Sequence, residues 1–547
     1  MVHRPGAPRP ARVVVGLLGA VLVLLLTACG GGGGPAPDDS SSASASRATG
    51  APSVPAPDAD WKDCPLTGQP DRECATFKVP VDAAKPGSGT LDLAVSRLPA
   101  TDRKRRVGVL VTDPGGPGLP GRYTPAALLP PQLRALFDIV GLDRRGSGAS
   151  TPVDCGEPGA AVQRLAKAEA PGGGSRDDLG KSLTKAELTA VSTESAAYVT
   201  KCRTKYGELT AHLGTRDAAA DLESLRLALG EEKLSLLFLS YGTLLGQEYL
   251  RLHPDRVRAA VLDGTADPDR TGAQVAVDGV LDLETASGTE DEEPATGQNA
   301  AKLRSYTAGF RPWCSTSGPA ECALAPDPVA PLTRVAARTP DLLKAAEAVM
   351  VVPADWPGFS RAVAQAAAGL SAGADPADGG TPFAALKAYA AKGFPKDVAA
   401  AAKPVPPPLA LTLGNHCADF SWPREAAALL TQVSATARRA GKADSAPQIA
   451  SEYVPCAEWP RASGPAGPLG ALTAKAAPRP LIVNSAQDPR TPLAGARAVA
   501  ERLPGALLTV AGRSHGVTLN GNPCVNTAVL RTLTGNAAPA EGSCPAA

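Results

Sequence analysis

Short apolar runs recur along the first half of the chain and indicate buried strands. They are continuous rather than alternating, which is typical of strands covered on both faces. A further stretch at 90–95 alternates apolar and polar residues, as an early antiparallel strand would. The continuous runs lie at 107–111, 137–142, 234–239 and 257–262.

Helical patterns separate these runs. Leu222, Leu225 and Leu229 share one face of a helix predicted over about 217–229, with Thr215 or Asp217 as its cap. A second helix is predicted from about residue 242 to 253. Strands that alternate with helices predict a mostly parallel sheet flanked by helices.

The pattern changes after Asp267. Residues 270–475 are rich in Ala and Pro, with helical patches and no convincing strand, whereas strand signals return at 480–484 and 506–510. A long helical insertion between two strands of one sheet is best interpreted as a cap or lid. The predicted domains are a core of 61–269 and 476–547 and a cap of 270–475.

The N-terminus is typical of an export signal. Arg4, Arg9 and Arg12 precede an apolar run at 13–26, which is shorter than the about 20 residues of a membrane-spanning helix. The run ends in Leu-Thr-Ala-Cys, a pattern that resembles a bacterial lipobox and makes Cys29 the lipidation site. We therefore predict a lipoprotein signal peptide at 1–28, a flexible tether at 29–60 and a membrane-anchored extracytoplasmic protein. An uncleaved signal anchor with an incidental cysteine is the alternative.

The cysteine count supports export. Setting Cys29 aside leaves ten of the eleven cysteines, enough for five disulfides in an oxidising compartment. Many connectivities are possible, and sequence proximity alone favours 64–74, 155–202, 314–322, 417–456 and 524–544. The spacing does not match a zinc site, and no motif indicates a cofactor. A formal net charge of +1 gives no electrostatic reason to expect nucleic acid as a partner.

Ser240 is the candidate nucleophile. It lies between a strand-like run and a helix-like run, where a sharp turn exposes a serine in the G-x-S-x-G pattern. Gly242 matches the second glycine, but Phe238 replaces the first. A chance serine is the alternative reading of this segment alone.

The order of possible partners strengthens this interpretation. Asp488 follows the strand at 480–484, and His515, the only histidine after Asp488, follows the strand at 506–510. Serine, acid and histidine in that order are typical of one serine-hydrolase fold. A turn aspartate and a surface histidine are the alternatives. An oxyanion hole would come from the backbone N–H groups of Tyr241 and of Gly116 in the Gly-Gly-Pro-Gly loop.

These stretches resemble the tripeptidyl aminopeptidase and prolyl iminopeptidase group of α/β-hydrolase serine peptidases. The resemblance rests on "GGPG", "LFDIVGLDRRGSGAS", "DLESLRLALG", "SYGTLLGQEYLRLHPDRVRAAVLDGTADP", "CAEWP", "DPRTP" and "SHG". It spans about residue 61 to the C-terminus, with the middle poorly matched. It implies the α/β-hydrolase fold, a Ser240–His515–Asp488 triad, and a peptide substrate with a free N-terminus.

In that group a cap holds the substrate amine through acidic side chains. Asp419 and Glu458 are the acids nearest the matching stretches here, and solvated surface carboxylates are the alternative for each. The leading hypothesis is an exported exopeptidase. A carboxylesterase of the same fold and an inactive lipoprotein remain open.

Overall fold

A computed structural model describes most of the chain after residue 58. The described residues are 59–65, 69–85, 87–123, 131–166, 178–279, 303, 307, 310–349, 355–378, 380–392, 408–461, 478–512, 514–518, 522–535 and 541–545. The predicted signal peptide and Cys29 lie outside them.

A single ten-stranded sheet forms the centre of this region. Its strand order is β1-β2-β3-β5-β4-β6-β7-β8-β9-β10. The pairs from β1 to β3 and the β3–β5 pair are antiparallel, and all the others are parallel. The strands are β1 (Lys62–Asp63), β2 (Glu73–Pro80), β3 (Thr90–Leu98), β4 (Gly108–Asp113), β5 (Phe137–Leu142), β6 (Leu234–Leu239), β7 (Val257–Asp263), β8 (Leu481–Ser485), β9 (Ala506–Val510) and β10 (Gly542–Cys544).

Helices cover both faces of the sheet. Side chains alternate along β6, so that Leu236 and Phe238 join one apolar cluster while Leu237 and Leu239 join another on the opposite face. The helices before the insertion are α1 (Pro131–Leu136), α2 (Ala160–Leu165), α3 (Leu179–Ser182), α4 (Lys185–Tyr206), α5 (Thr215–Ala228) and α6 (Gly242–Leu252). A mostly parallel sheet with helices on both faces is the predicted fold.

Between β7 and β8, the regular elements formed by the described residues are all helices. These two strands pair directly in the sheet, so the chain leaves the sheet and returns beside the same strand. Part of this segment packs around its own apolar cluster, which includes Phe310, Trp356 and Phe383. Its α-helices are α7 (Gly272–Gly279), α8 (Phe310–Thr316), α9 (Val329–Ala336), α10 (Asp341–Val349), α11 (Trp356–Ser371), α12 (Thr381–Lys392), α13 (Leu409–Asp419), α14 (Ala426–Arg439) and α15 (Ala446–Tyr453).

The C-terminal part completes the sheet with β8, β9 and β10. It also contains the helices α16 (Leu493–Arg502) and α17 (Pro523–Thr534). Five disulfides link the cysteines in the pairs that sequence proximity favours: Cys64–Cys74, Cys155–Cys202, Cys314–Cys322, Cys417–Cys456 and Cys524–Cys544. The predicted pairing is therefore confirmed. Within the described ranges, no helix has the length and apolar character needed to cross a membrane.

Candidate active site

Ser240 lies on a sharp turn between β6 and α6. Its φ of +53° is in the left-handed region that non-glycine residues rarely adopt. The turn is held on both sides, since the Ser240 N–H donates to the Asp263 carbonyl at 2.8 Å and the Ser240 carbonyl accepts from the Thr243 hydroxyl at 2.6 Å. Gly242 is required for space, because a Cβ there would lie 2.8 Å from Asp113 Oδ1.

The bulky Phe238 fits because α6 leaves room for it. Its side chain is fully buried and points towards Gly246 on the first turns of that helix. A Cβ on Gly246 would lie 3.1 Å from Phe238 Cδ2 and 2.6 Å from Leu262 Cδ2. The departure from the usual first glycine is thus matched by a glycine in the following helix, and the turn keeps its shape.

The structure brings the three predicted triad residues together. His515 Nε2 lies 2.8 Å from Ser240 Oγ, and His515 Nδ1 lies 3.0 Å from each carboxylate oxygen of Asp488. The side chain of Asp488 is 0% exposed, and that of His515 is 22% exposed. A serine hydroxyl bonded to an imidazole, which is bonded in turn to a buried carboxylate, is the arrangement that activates a serine for attack on a carbonyl.

The carboxylate of Asp488 is fixed by its own loop. Its Oδ1 accepts the backbone N–H groups of Arg490 and Thr491, both at 2.9 Å. The hydroxyl of Thr491 also lies 3.3 Å from His515 Nδ1. Among the described residues, Oδ2 therefore contacts only the imidazole, whereas Oδ1 contacts both the imidazole and the backbone.

Asp263, at the end of β7, is a site residue that sequence reasoning missed. Its Oδ2 accepts the N–H groups of Val517 and Thr518 at 2.8 and 2.7 Å and the Thr518 hydroxyl at 2.6 Å. Burial raises the pKa of this carboxyl group, and hydrogen bonds from Thr518 oppose the rise. Since its carbonyl also receives the Ser240 N–H, Asp263 ties the turn of the serine to the loop of His515. An acid directly after an apolar strand run is the signal that could have found it.

The glycine-rich loop after β4 lies against the serine turn. A Cβ on Gly115 would lie 2.5 Å from the Leu239 carbonyl and 2.9 Å from the Tyr241 nitrogen, so the two backbones are in direct contact. Gly115 and Gly116 have φ of +84° and +114°, conformations that favour glycine. This contact places the backbones of Gly116 and Tyr241, the two predicted oxyanion donors, on adjacent segments.

Asp113 holds this loop and is a second residue that sequence reasoning missed. Its Oδ1 accepts the Gly115 N–H at 2.7 Å, and Oδ2 has no hydrogen-bond partner among the described residues. Burial raises the pKa of its carboxyl group, and the charge of Arg144 opposes the rise.

Asp419 is one of the two acids considered for amine binding, but its carboxylate is buried and accepts hydrogen bonds from other residues of the protein. Its Oδ1 accepts the Thr215 N–H at 2.7 Å, and its Oδ2 accepts the hydroxyls of Thr215 and Tyr241 at 2.6 and 2.7 Å. The predicted capping of α5 by Thr215 or Asp217 is wrong, because Gly214 is the N-cap residue and makes no side-chain cap bond. The carboxylate of Asp419 serves that helix end instead. Glu458 is exposed.

A metal-binding arrangement is not found among the described residues of this site. In the part of the chain that the structure describes, no group of three or more His, Cys, Asp or Glu side chains could hold a metal ion.

Two family matches cover parts of the chain. Residues 108–302 match the family described as "alpha/beta hydrolase fold", and residues 443–544 match "TAP-like protein". The first match and the sheet topology confirm the predicted fold. Both matches together span the segments that carry Ser240, Asp488 and His515.

Three curated relatives are similar over most of the chain. A tripeptidyl aminopeptidase of Streptomyces coelicolor is 29% identical, over 89% of this chain and 85% of that protein. The serine protease Hip1 of Mycobacterium tuberculosis is also 29% identical, over 86% of each chain. A protein of M. tuberculosis named carboxylesterase B is 28% identical, over 91% of this chain and 92% of its own. The predicted resemblance to tripeptidyl aminopeptidases is confirmed.

Proposed function

This chain is a serine hydrolase of the α/β-hydrolase fold, and we propose that it is an exported exopeptidase. It releases tripeptides or other short units from the amino end of a peptide. The observation that carries the proposal is the hydrogen-bonded chain from Ser240 through His515 to Asp488, with contacts of 2.8 and 3.0 Å. Relatives named for tripeptidyl aminopeptidase and serine protease activity support the choice of peptides as substrates.

The proposed reaction has two halves. Ser240 Oγ attacks the scissile carbonyl carbon while His515 Nε2 takes the hydroxyl proton, and the carboxylate of Asp488 stabilises the resulting imidazolium. The N–H groups of Gly116 and Tyr241 bind the oxyanion of the tetrahedral intermediate. The C–N bond then breaks, and His515 gives its proton to the leaving amine. Water attacks the acyl-enzyme with His515 as base, which frees the acid product and restores Ser240.

The substrate amine requires a partner in the covering segment. An ammonium group held near the reacting bond loses much of its hydration, so at least one carboxylate must face it. We propose residues 270–475 as the cap that supplies this group. Asp419 is a poor candidate, because both of its oxygens already accept hydrogen bonds from within the protein.

We place the protein outside the cytoplasm on a lipid at Cys29. The basic residues, short apolar run and lipobox-like tetrapeptide of the N-terminus support this localisation. Five disulfides are in keeping with an oxidising compartment.

Covalent labelling tests the nucleophile. A fluorophosphonate probe should label the wild-type protein and leave Ser240→Ala unlabelled. Ser485→Ala is a suitable control, since Ser485 is also a buried serine at the end of a strand but its hydroxyl bonds to the Ser514 carbonyl at 2.5 Å. An unlabelled wild-type protein would favour the inactive lipoprotein instead.

Blocked and free substrates separate a peptidase from an esterase. Acetylating the N-terminus of a good tripeptidyl anilide removes the charge and should abolish most of kcat/KM, and simple acyl esters should be poor substrates. The second candidate is a carboxylesterase, which the relative of that name favours. Equal cleavage of blocked and free peptides, or faster cleavage of simple esters, would replace the first candidate by the second.

A further inference from the structure

The hydroxyl of Tyr241 belongs to a buried network of polar side chains next to the serine turn. It donates to Asp419 Oδ2 at 2.7 Å, and that oxygen also accepts the Thr215 hydroxyl at 2.6 Å. Arg144 Nη2 donates to the same Thr215 hydroxyl at 3.1 Å. Tyr241, Asp419, Thr215 and Arg144 are at most 6% exposed. The network therefore lies out of contact with bulk water, where a hydrogen bond to a charged group is strong and an unmade one is costly.

The members of this network come from distant parts of the chain. Asp419 is the last residue of α13, in the helical segment between β7 and β8, while Thr215 begins α5. The Cys417–Cys456 disulfide fixes the chain two residues before Asp419. The hydroxyl of Tyr241 is thus tied to a carboxylate whose own position is set by a helix end and a nearby covalent link.

Packing restrains the ring of Tyr241 as well. The Arg144 guanidinium carbon lies 5.8 Å from the ring centre, and the rings of His416 and Phe420 lie 5.1 and 6.1 Å away. Burial and the charge of Asp419 hold the pKa of the Tyr241 hydroxyl well above its usual value, so this group stays a proton donor. The side chain is fixed at its tip and along its faces.

Fixing this side chain also fixes the peptide that follows Ser240. Tyr241 is the residue directly after the nucleophile, and its N–H is one of the two proposed oxyanion donors. Oxyanion stabilisation depends on donors that are already aimed before the charge develops, and small displacements are costly. The backbone of Tyr241 is helical, with φ −55° and ψ −29°, directly after the left-handed Ser240.

We infer that Asp419 is a positioning residue for the oxyanion hole, acting through the hydroxyl of Tyr241. Both oxygens of Asp419 accept hydrogen bonds from Thr215 and Tyr241, so Asp419 acts through Tyr241 and not on the substrate. Its hydrogen bond anchors the Tyr241 side chain, which keeps the Tyr241 N–H directed at the developing oxyanion. The inference rests on the proposed serine-hydrolase mechanism. If Asp419 served only to cap α5, loss of the Tyr241 hydroxyl would leave the oxyanion hole unchanged.

Tyr241→Phe tests this link, because it removes the hydroxyl and keeps both the ring and the backbone N–H. Tyr453→Phe is the matched control, since Tyr453 is another buried tyrosine that contacts the His416 ring. For an anilide substrate, we expect Tyr241→Phe to lower kcat by on the order of tenfold with KM nearly unchanged. Tyr453→Phe should keep the wild-type kcat.

A peptide trifluoromethyl ketone gives the decisive readout, because its serine adduct carries an oxyanion. Its Ki should rise for Tyr241→Phe in proportion to the loss of kcat/KM. Asp419→Asn should raise the Ki in the same way, and the double variant should be no worse than the worse single variant, as expected for one shared path. Should Asp419→Asn fail to fold, Tyr241→Phe decides the question alone.

The failures of the two proposals are distinguishable. A wild-type protein that a fluorophosphonate does not label overturns the proposed function. A wild-type protein that is labelled and active, with Tyr241→Phe indistinguishable from Tyr453→Phe in kcat and in Ki, overturns only the role of Asp419.

Discussion

Asp488→Asn is the substitution whose effect follows most directly from the geometry. The amide is almost the same size as the carboxylate, so the packing of the loop is kept. Its orientation is dictated by the backbone, because the oxygen must remain at the Oδ1 position, where it accepts two N–H groups at 2.9 Å. The amide nitrogen then takes the place of Oδ2 and faces His515 Nδ1.

This orientation inverts the proton arrangement of His515. The amide nitrogen donates to Nδ1, which favours the neutral imidazole with its proton on Nε2, the atom that lies 2.8 Å from Ser240 Oγ. A protonated Nε2 cannot accept the serine proton. The same exchange in a serine protease of another fold lowers turnover by about four orders of magnitude. A similar loss here corresponds to a barrier increase of about 5.4 kcal/mol.

The assay compares kcat/KM on a tripeptidyl anilide with the melting temperature and the rate of fluorophosphonate labelling. We expect turnover and labelling to fall together by about four orders of magnitude while the melting temperature changes little. Asp92→Asn is the matched control, since Asp92 is half-exposed and pairs with Lys78 at 2.8 Å on the surface. A variant that keeps a tenth of wild-type turnover would refute the assignment of Asp488 as the acid.

Three further predictions concern packing, pH and processing. Gly246→Ala should lower the free energy of unfolding in urea by about 1–3 kcal/mol, because the new Cβ overpacks Leu262 and Phe238, and Phe238→Leu should partly restore it. Burial lowers the pKa of His416 to about 3, so between pH 6.5 and 3 the unfolded chain takes up a proton that the folded chain does not. Stability should therefore fall with falling pH by up to about 1.4 kcal/mol per unit from this group, and urea unfolding of His416→Phe should show a shallower slope. Cys29→Ser should leave a longer, unlipidated precursor that mass spectrometry and detergent partitioning detect, whereas a wild-type protein without lipid would contradict the anchor.

Local patterns predicted the strands of the parallel sheet well. The strands at 137–142, 234–239 and 506–510 begin and end where the apolar runs do. A strand buried on both faces needs a continuous apolar run. Such a run can be recognised in the sequence without knowing which strands lie beside it in the sheet. The segment β2 alternates instead, with Ala75, Phe77 and Val79 buried, and was overlooked. The three residues of β10 are too few to show any period.

The triad residues could be proposed from the sequence for a similar reason. Each of the three follows a strand of the parallel sheet, and the carboxyl ends of such strands meet along one edge. Their order along the chain therefore predicts their proximity. The partners of Asp419 could not be predicted in this way, because its contacts with Thr215 join residues 204 positions apart. That contact also explains why α5 begins at Thr215 without a side-chain cap of its own.

Three buried carboxylates around the serine turn stabilise the site in the same way, by accepting hydrogen bonds from backbone N–H groups. Asp113 accepts the Gly115 N–H, Asp263 accepts the N–H groups of Val517 and Thr518, and Asp419 accepts the Thr215 N–H. Each therefore fixes a backbone segment through its N–H groups, so its burial is compensated by hydrogen bonds rather than by an ion pair alone. The first two segments carry the oxyanion loop and His515. The third carboxylate also holds the hydroxyl of Tyr241. Asp419, which the sequence assigns to the substrate amine or to solvent, thus instead helps to hold rigid the backbone on which the chemistry of the proposed site depends.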